Sequence, residues 1–199
     1  MKTARLEAFS DGVIAVIITV MVLELKVPHV GTVEALLTVV PSLSVYALSF
    51  AVVAIMWVNH HQFLDHARRA SAALLWANNL LLFCMSLIPF VTAYLGENCH
   101  APLAVAVYGA VMTLTSTAFL ILQKVLARQD PNDPKRQLEF RRLDHKAITA
   151  IVGYAVSIFL AHFSVYASFA LFILFPLLYF WPERRTASSA DKLSRPPSQ

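Results

Sequence analysis

Six apolar stretches are strung along the chain, at about 5–27, 40–64, 70–95, 102–127, 146–162 and 165–182, with short polar or charged connections between them. About 20 apolar residues at 1.5 Å each cross a hydrocarbon layer of roughly 30 Å. The pattern therefore predicts an all-α, polytopic protein with six membrane-spanning helices. Only His162, Phe163 and Ser164 separate the last two stretches. Read as one helix, Ala147 to Trp181 would be about 52 Å long, so a tight hairpin is expected there. Pro89 and Pro176 are expected to bend their helices.

Periodicity within the first stretch, RLEAFSDGVIAVIITVMVLEL from Arg5 to Leu25, separates two kinds of position. At about 100° per residue, Val16, Val20 and Leu23 form one stripe with Thr19 at its edge, while Asp11 points to the other side. By spacing alone that stripe reads as ordinary helix packing. Ser10 and Asp11 fall in the first turns, and an ionisable group at membrane depth is costly. Such a residue faces the protein interior or a water-filled path.

Composition fixes the broad class. The chain has 199 residues, 58% hydrophobic and 14% charged, with a mean hydropathy of +0.63, which marks an integral membrane protein. A formal charge of +4 does not point to nucleic acid, because the basic residues cluster in connections rather than on one face. An N-terminus inside puts Lys2, Arg5, Arg68, Arg69, Lys124, Arg128 and the later basic residues in the cytoplasm and leaves Lys26 outside. That positive-inside pattern predicts a multi-pass protein of the cell membrane with both termini cytoplasmic. Residues 1–183 are expected to form one transmembrane domain, with 184–199 a disordered cytoplasmic tail. The segment from Gln129 to Lys146, with two prolines and dense charge, reads as a solvated cytoplasmic loop. The first span lacks a small-residue cleavage site and is expected to be retained. Cys84 and Cys99 indicate neither a disulfide framework nor a metal quartet.

A belt of polar residues is expected at the depth of Ser10 and Asp11. The second helix brings Trp57, Asn59, His60 and His61 there, and the third brings Asn78 and Asn79. Arg5 or a histidine is expected to offset the Asp11 charge, with the buried donors finding acceptors within the belt. His60 and His61 point about 100° apart on a helix, so a shared metal is not expected. Thr113, Thr115, Ser116 and Thr117 suit close helix packing. No G-x-S-x-G turn or metal motif supports an enzyme built on Ser10, Asp11 and His61, and no cofactor is implied. Glu24, at the outer end of the first helix, either joins an acidic ring at the outer mouth, or only snorkels or pairs with Lys26.

Arg5, the FSDG run at Phe9 to Gly12 and the following VIAVIITVMVLEL together resemble the signature of the TMEM175 potassium channel family in its single-repeat prokaryotic form. The resemblance implies a homotetramer in a lipid bilayer, with four copies of the first helix lining a central pore for potassium and other monovalent cations. It implies a hydrophobic constriction at Val16, Val20 and Leu23 in place of a carbonyl filter, with Thr19 as the polar lining position. It also implies a structural clamp drawn from Arg5, Phe9, Ser10, Asp11, Trp57, Asn59, His60, His61, Asn78 and Asn79. Val16 stands where a larger Ile or Leu is usual. The alternative function is proton conduction, or proton-coupled secondary transport, through Asp11 and the His60/His61 region.

Overall fold

The computed structural model describes residues 3–65, 67, 69–129 and 134–180. The expected tail 184–199 and the end of the transmembrane domain beyond 180 lie outside the described residues. Eight helices follow in order: α1 Thr3–Leu23, α2 Val33–Leu37, α3 Val40–Asp65, α4 Ala72–Ser86, α5 Ile88–Glu97, α6 Pro102–Ala127, α7 Pro134–Leu160 and α8 Val165–Phe180. The described residues are all-α. Five helical segments are long and apolar enough to cross a membrane, and α8 contributes a shorter apolar stretch at Val165–Leu174.

Several boundaries differ from those read in the sequence. The first span ends at Leu23, which leaves Glu24 in the turn that follows, its N–H donating to Val20 O at 3.2 Å. The short helix α2, capped by Thr32 whose side chain accepts from Ala35 N, precedes the second span. The third span is interrupted at Leu87, where α4 ends and α5 begins with a proline in its first turn. A proline is tolerated there because its missing N–H has no helical partner to lose.

The largest correction concerns the segment read as a solvated loop from 129 to 146. Residues 134 onward are helical and continue without a break into the fifth span. Phe140 and Leu143 pack against the core, and Phe140 stacks on Phe63 with ring centroids 5.8 Å apart. With Ala147, Ala150 and Tyr154, also in the core or buried, they form one stripe at helical spacing. Averaged hydropathy hides such a stripe, because the charged residues of the opposite face cancel it. The last two spans do meet in the expected tight turn, at Ala161 to Phe163.

Small residues let the helices approach one another. A Cβ on Gly109 of α6 would lie 2.9 Å from Ser157 Oγ and 3.3 Å from Tyr154 O of α7, so any side chain there would press Ser157 and the α7 backbone away. Gly96 of α5 meets Ser42 of α3, whose hydroxyl donates to Gly96 O at 3.0 Å. Deeper in the core, Thr92 donates to Ser49 Oγ at 2.8 Å, and Ser49 and the buried Tyr108 hydroxyl bond at 3.0 Å. In α6, Thr113, Thr115 and Thr117 each return a hydrogen bond to the carbonyl four residues earlier. They thereby expose small, satisfied surfaces to neighbouring helices. Lys26 pairs with Glu97 at 2.7 Å, not with Glu24 as the sequence allowed, an exposed contact between the end of α1 and the end of α5.

Candidate functional site

Helix α1 packs against α3, α4 and α5 through Leu6, Ser10, Ile14, Ile17 and Met21. These positions recur at three- and four-residue intervals and form one buried stripe. The opposite flank carries Phe9, 56% exposed, Val16, 59%, Val20, 36%, and Leu23, 80%. Arg5 and Thr19 are exposed on the same side, and the Thr19 hydroxyl donates back to Val16 O at 2.9 Å. A helix built of strongly apolar residues on both sides has thus buried only one of them in its own chain.

Polar bonds fix the rotation of α1. Ser10, His60 and Asn78 have no exposed surface and meet where α1, α3 and α4 converge. His60 Nε2 lies 2.7 Å from Asn78 Oδ1. Asn78 Nδ2 donates to Ser10 Oγ at 3.0 Å, and the Ser10 hydroxyl donates to Leu6 O at 2.8 Å. Asn78 Oδ1 can only accept, so His60 carries its proton on Nε2 and leaves Nδ1 as an unpartnered acceptor. The reverse amide orientation would bury a donor N–H without a partner, the costlier outcome. One chain of donors therefore runs from α3 through α4 to the α1 backbone.

A second group lies on the flank of α1 beside α3. Trp57 Nε1 donates to Asp11 Oδ1 at 2.9 Å, and His61 Nδ1 lies 2.7 Å from Glu7 Oε1. The Trp57 and His61 rings stack with centroids 6.1 Å apart. Asp11 takes the indole N–H and also has the expected histidine beside it, the His61 and Asp11 ligand atoms lying within 4.8 Å of one another. Asn59 directs its amide to Ile55 O in its own helix at 2.9 Å, and Asn79 is exposed. The structure thus brings together Ser10, Asp11, Trp57, His60, His61 and Asn78, and sets Arg5, Phe9, Asn59 and Asn79 apart from them. Glu7 was missed in the sequence, although its place one turn before Asp11 put it on the same face. Glu24 lines an outer crevice with Lys26, His29 and Glu97.

Comparison with known proteins bears on the whole arrangement. Residues 5–89, which hold α1, α3 and the polar groups around them, match the family described as endosomal/lysosomal potassium channel TMEM175. A Chryseobacterium protein named as a potassium channel is 36% identical over 189 residues, covering 95% of this chain and 98% of the relative. A second one, from Chamaesiphon minutus, is 35% identical over 197 residues, covering 88% of this chain and 94% of the relative. The crystal structure of a lysosomal potassium-selective channel TMEM175 homolog from Chamaesiphon minutus superposes with a TM-score of 0.80 at 33% identity. It covers 89% of this chain and 95% of that one. Likeness over nearly the full length of the relatives, in sequence and in fold alike, means that this chain belongs to the TMEM175 family.

Proposed function

We propose that the chain is one subunit of a potassium-permeable cation channel in the cell membrane, with both termini cytoplasmic. Four copies place α1 around a common axis within a bilayer-embedded domain formed by residues 1–183. The observation that carries this reading is the two-faced burial of α1. One stripe is locked to α3, α4 and α5 by packing and by the Ser10–Asn78–His60 bonds, while the aliphatic stripe at Val16, Val20 and Leu23 is left uncovered. A helix so held cannot turn that stripe into its own subunit. A pore has to come from several copies, because one α1 cannot enclose an axis. The names of the relatives support the same reading.

At the axis the side chains of Val16, Val20 and Leu23 form successive apolar rings, with Thr19 as the polar position among them. Passage through such a neck depends on how readily the ion sheds water and how easily the neck wets. Potassium sheds its water more cheaply than sodium, which supplies a preference without a carbonyl filter. Glu24 at the outer end adds negative charge that concentrates cations at the mouth. The groups around Ser10 and Asp11 act as the clamp that keeps α1 in register. Reconstitution into liposomes with potassium, sodium and proton fluxes measured separately tests the proposal. Potassium flux is expected to exceed sodium flux. Proton flux without potassium flux would replace this reading with the proton-conducting one through Asp11 and His61.

A further inference from the structure

The flank of α1 that faces α3 carries a group of side chains that neither the buried stripe nor the uncovered stripe uses. Glu7, Asp11 and His61 each offer one ligand atom, and these atoms all lie within 4.8 Å of one another. Glu7 and Asp11 are one turn apart on α1, and His61 comes from the cytoplasmic end of α3. By helical rotation Glu7 and Asp11 sit roughly 140–180° from Val16, so the cluster lies away from the proposed axis. The group is not closed over by its own chain, with the His61 side chain 46% and the Glu7 side chain 24% exposed.

From this geometry we propose that Glu7, Asp11 and His61 form a binding site for a divalent transition cation of the Zn²⁺ class. Zn²⁺ takes carboxylate oxygen and imidazole nitrogen at about 2.0–2.2 Å, which places donors around a tetrahedral ion roughly 3.3–3.5 Å apart. Reaching that spacing opens the 2.7 Å Glu7–His61 pair by about 0.6–0.8 Å and draws in donors now up to 4.8 Å apart by at most about 1.5 Å. Two carboxylates and one imidazole leave a position for water, and the imidazole favours Zn²⁺, Cu²⁺ or Ni²⁺ over the all-oxygen preference of Mg²⁺ and Ca²⁺. Trp57 is the orienting partner. Its indole N–H holds Asp11 Oδ1 at 2.9 Å, leaving the other carboxylate oxygen to the ion, and its ring backs that of His61. Metal ligands are commonly held this way by a hydrogen bond from outside the coordination sphere. The bound ion cross-links α1 to α3, replacing the Glu7–His61 pair as the tie between them.

The test is calorimetric titration of the tag-free full-length protein in detergent with Zn²⁺, with Mg²⁺ and Ca²⁺ in parallel. One Zn²⁺ per chain is expected, with affinity weakened about tenfold or more in Glu7→Gln and in His61→Asn, and unchanged in His162→Asn at the α7–α8 turn. Zn²⁺ should raise the melting temperature of the wild type and of His162→Asn, but not of the two site variants. Electron paramagnetic resonance of Cu²⁺ on the wild-type protein needs no variant and should show coupling to one imidazole nitrogen. No Zn²⁺ binding, binding unaltered by both site variants, or copper coupled to two or more imidazoles or to none would each overturn the proposal.

Discussion

Replacing Asn78 with leucine removes the centre of the donor chain while keeping the branched shape and the number of side-chain heavy atoms, so no cavity is left and the loss is that of the polar bonds. Two bonds are lost: the one Asn78 Oδ1 accepts from His60 Nε2 at 2.7 Å and the one Asn78 Nδ2 donates to Ser10 Oγ at 3.0 Å. Ser10 keeps its bond to Leu6 O, so it loses only an accepted bond, worth about 0.6 kcal/mol between membrane helices. His60 is worse off. Its Nδ1 has no partner already, and its Nε2–H becomes a buried orphan donor, which costs about 1–3 kcal/mol. The expected loss in Asn78→Leu is therefore about 2–3 kcal/mol. Changing His60 to leucine as well removes the orphan, so the double variant should be more stable than the two single losses added, by about 1 kcal/mol or more. Titration with SDS in mixed micelles, followed by tryptophan fluorescence, reads all four members of the cycle. A single variant within about 0.5 kcal/mol of wild type, or additive losses in the double variant, would refute the assignment of protons along this chain.

Three further outcomes follow from separate parts of the molecule. In liposomes, Leu23→Ala and Val20→Ala should raise cation flux severalfold or relax the potassium preference, because each widens an apolar ring; wild-type fluxes in both would count against α1 as the pore lining. Gly109→Val should lower unfolding stability by about 1–3 kcal/mol, since its Cβ would lie 2.9 Å from Ser157 Oγ and 3.1 Å from Ile158 Cγ1. An unaltered SDS midpoint would show that α6 and α7 can part without cost. Lys26→Ala, by contrast, should change stability by about 0.5 kcal/mol or less, because its pair with Glu97 is solvent-exposed at 80% and 47%; a larger loss by the same titration would mean that the pair holds α1 and α5 together.

Much of this protein could be read along one dimension. The apolar stretches locate the spans, and His162, Phe163 and Ser164 mark the hairpin between α7 and α8. The Val16, Val20 and Leu23 stripe and the polar pair Ser10–Asp11 were visible because helical periodicity assigns each residue a face before any partner is known. Free energies of transfer into a hydrocarbon layer are sums over local residues, so a linear pattern carries them. The partners of the polar groups are another matter. That Asp11 bonds Trp57, that Glu7 meets His61, that Lys26 reaches Glu97 and that Asn78 joins His60 to Ser10 all depend on the depth and rotation of one helix against another. The same holds for α7, whose charged first turns read as loop until Phe140 is seen stacked on Phe63, and for α1, whose spacing alone could not tell a packed stripe from an uncovered one. Only the packed tertiary structure supplied those relations, because a hydrogen bond or a ring contact requires two groups within a few ångströms, and residues up to 77 positions apart along the chain come that close only after the helices have docked.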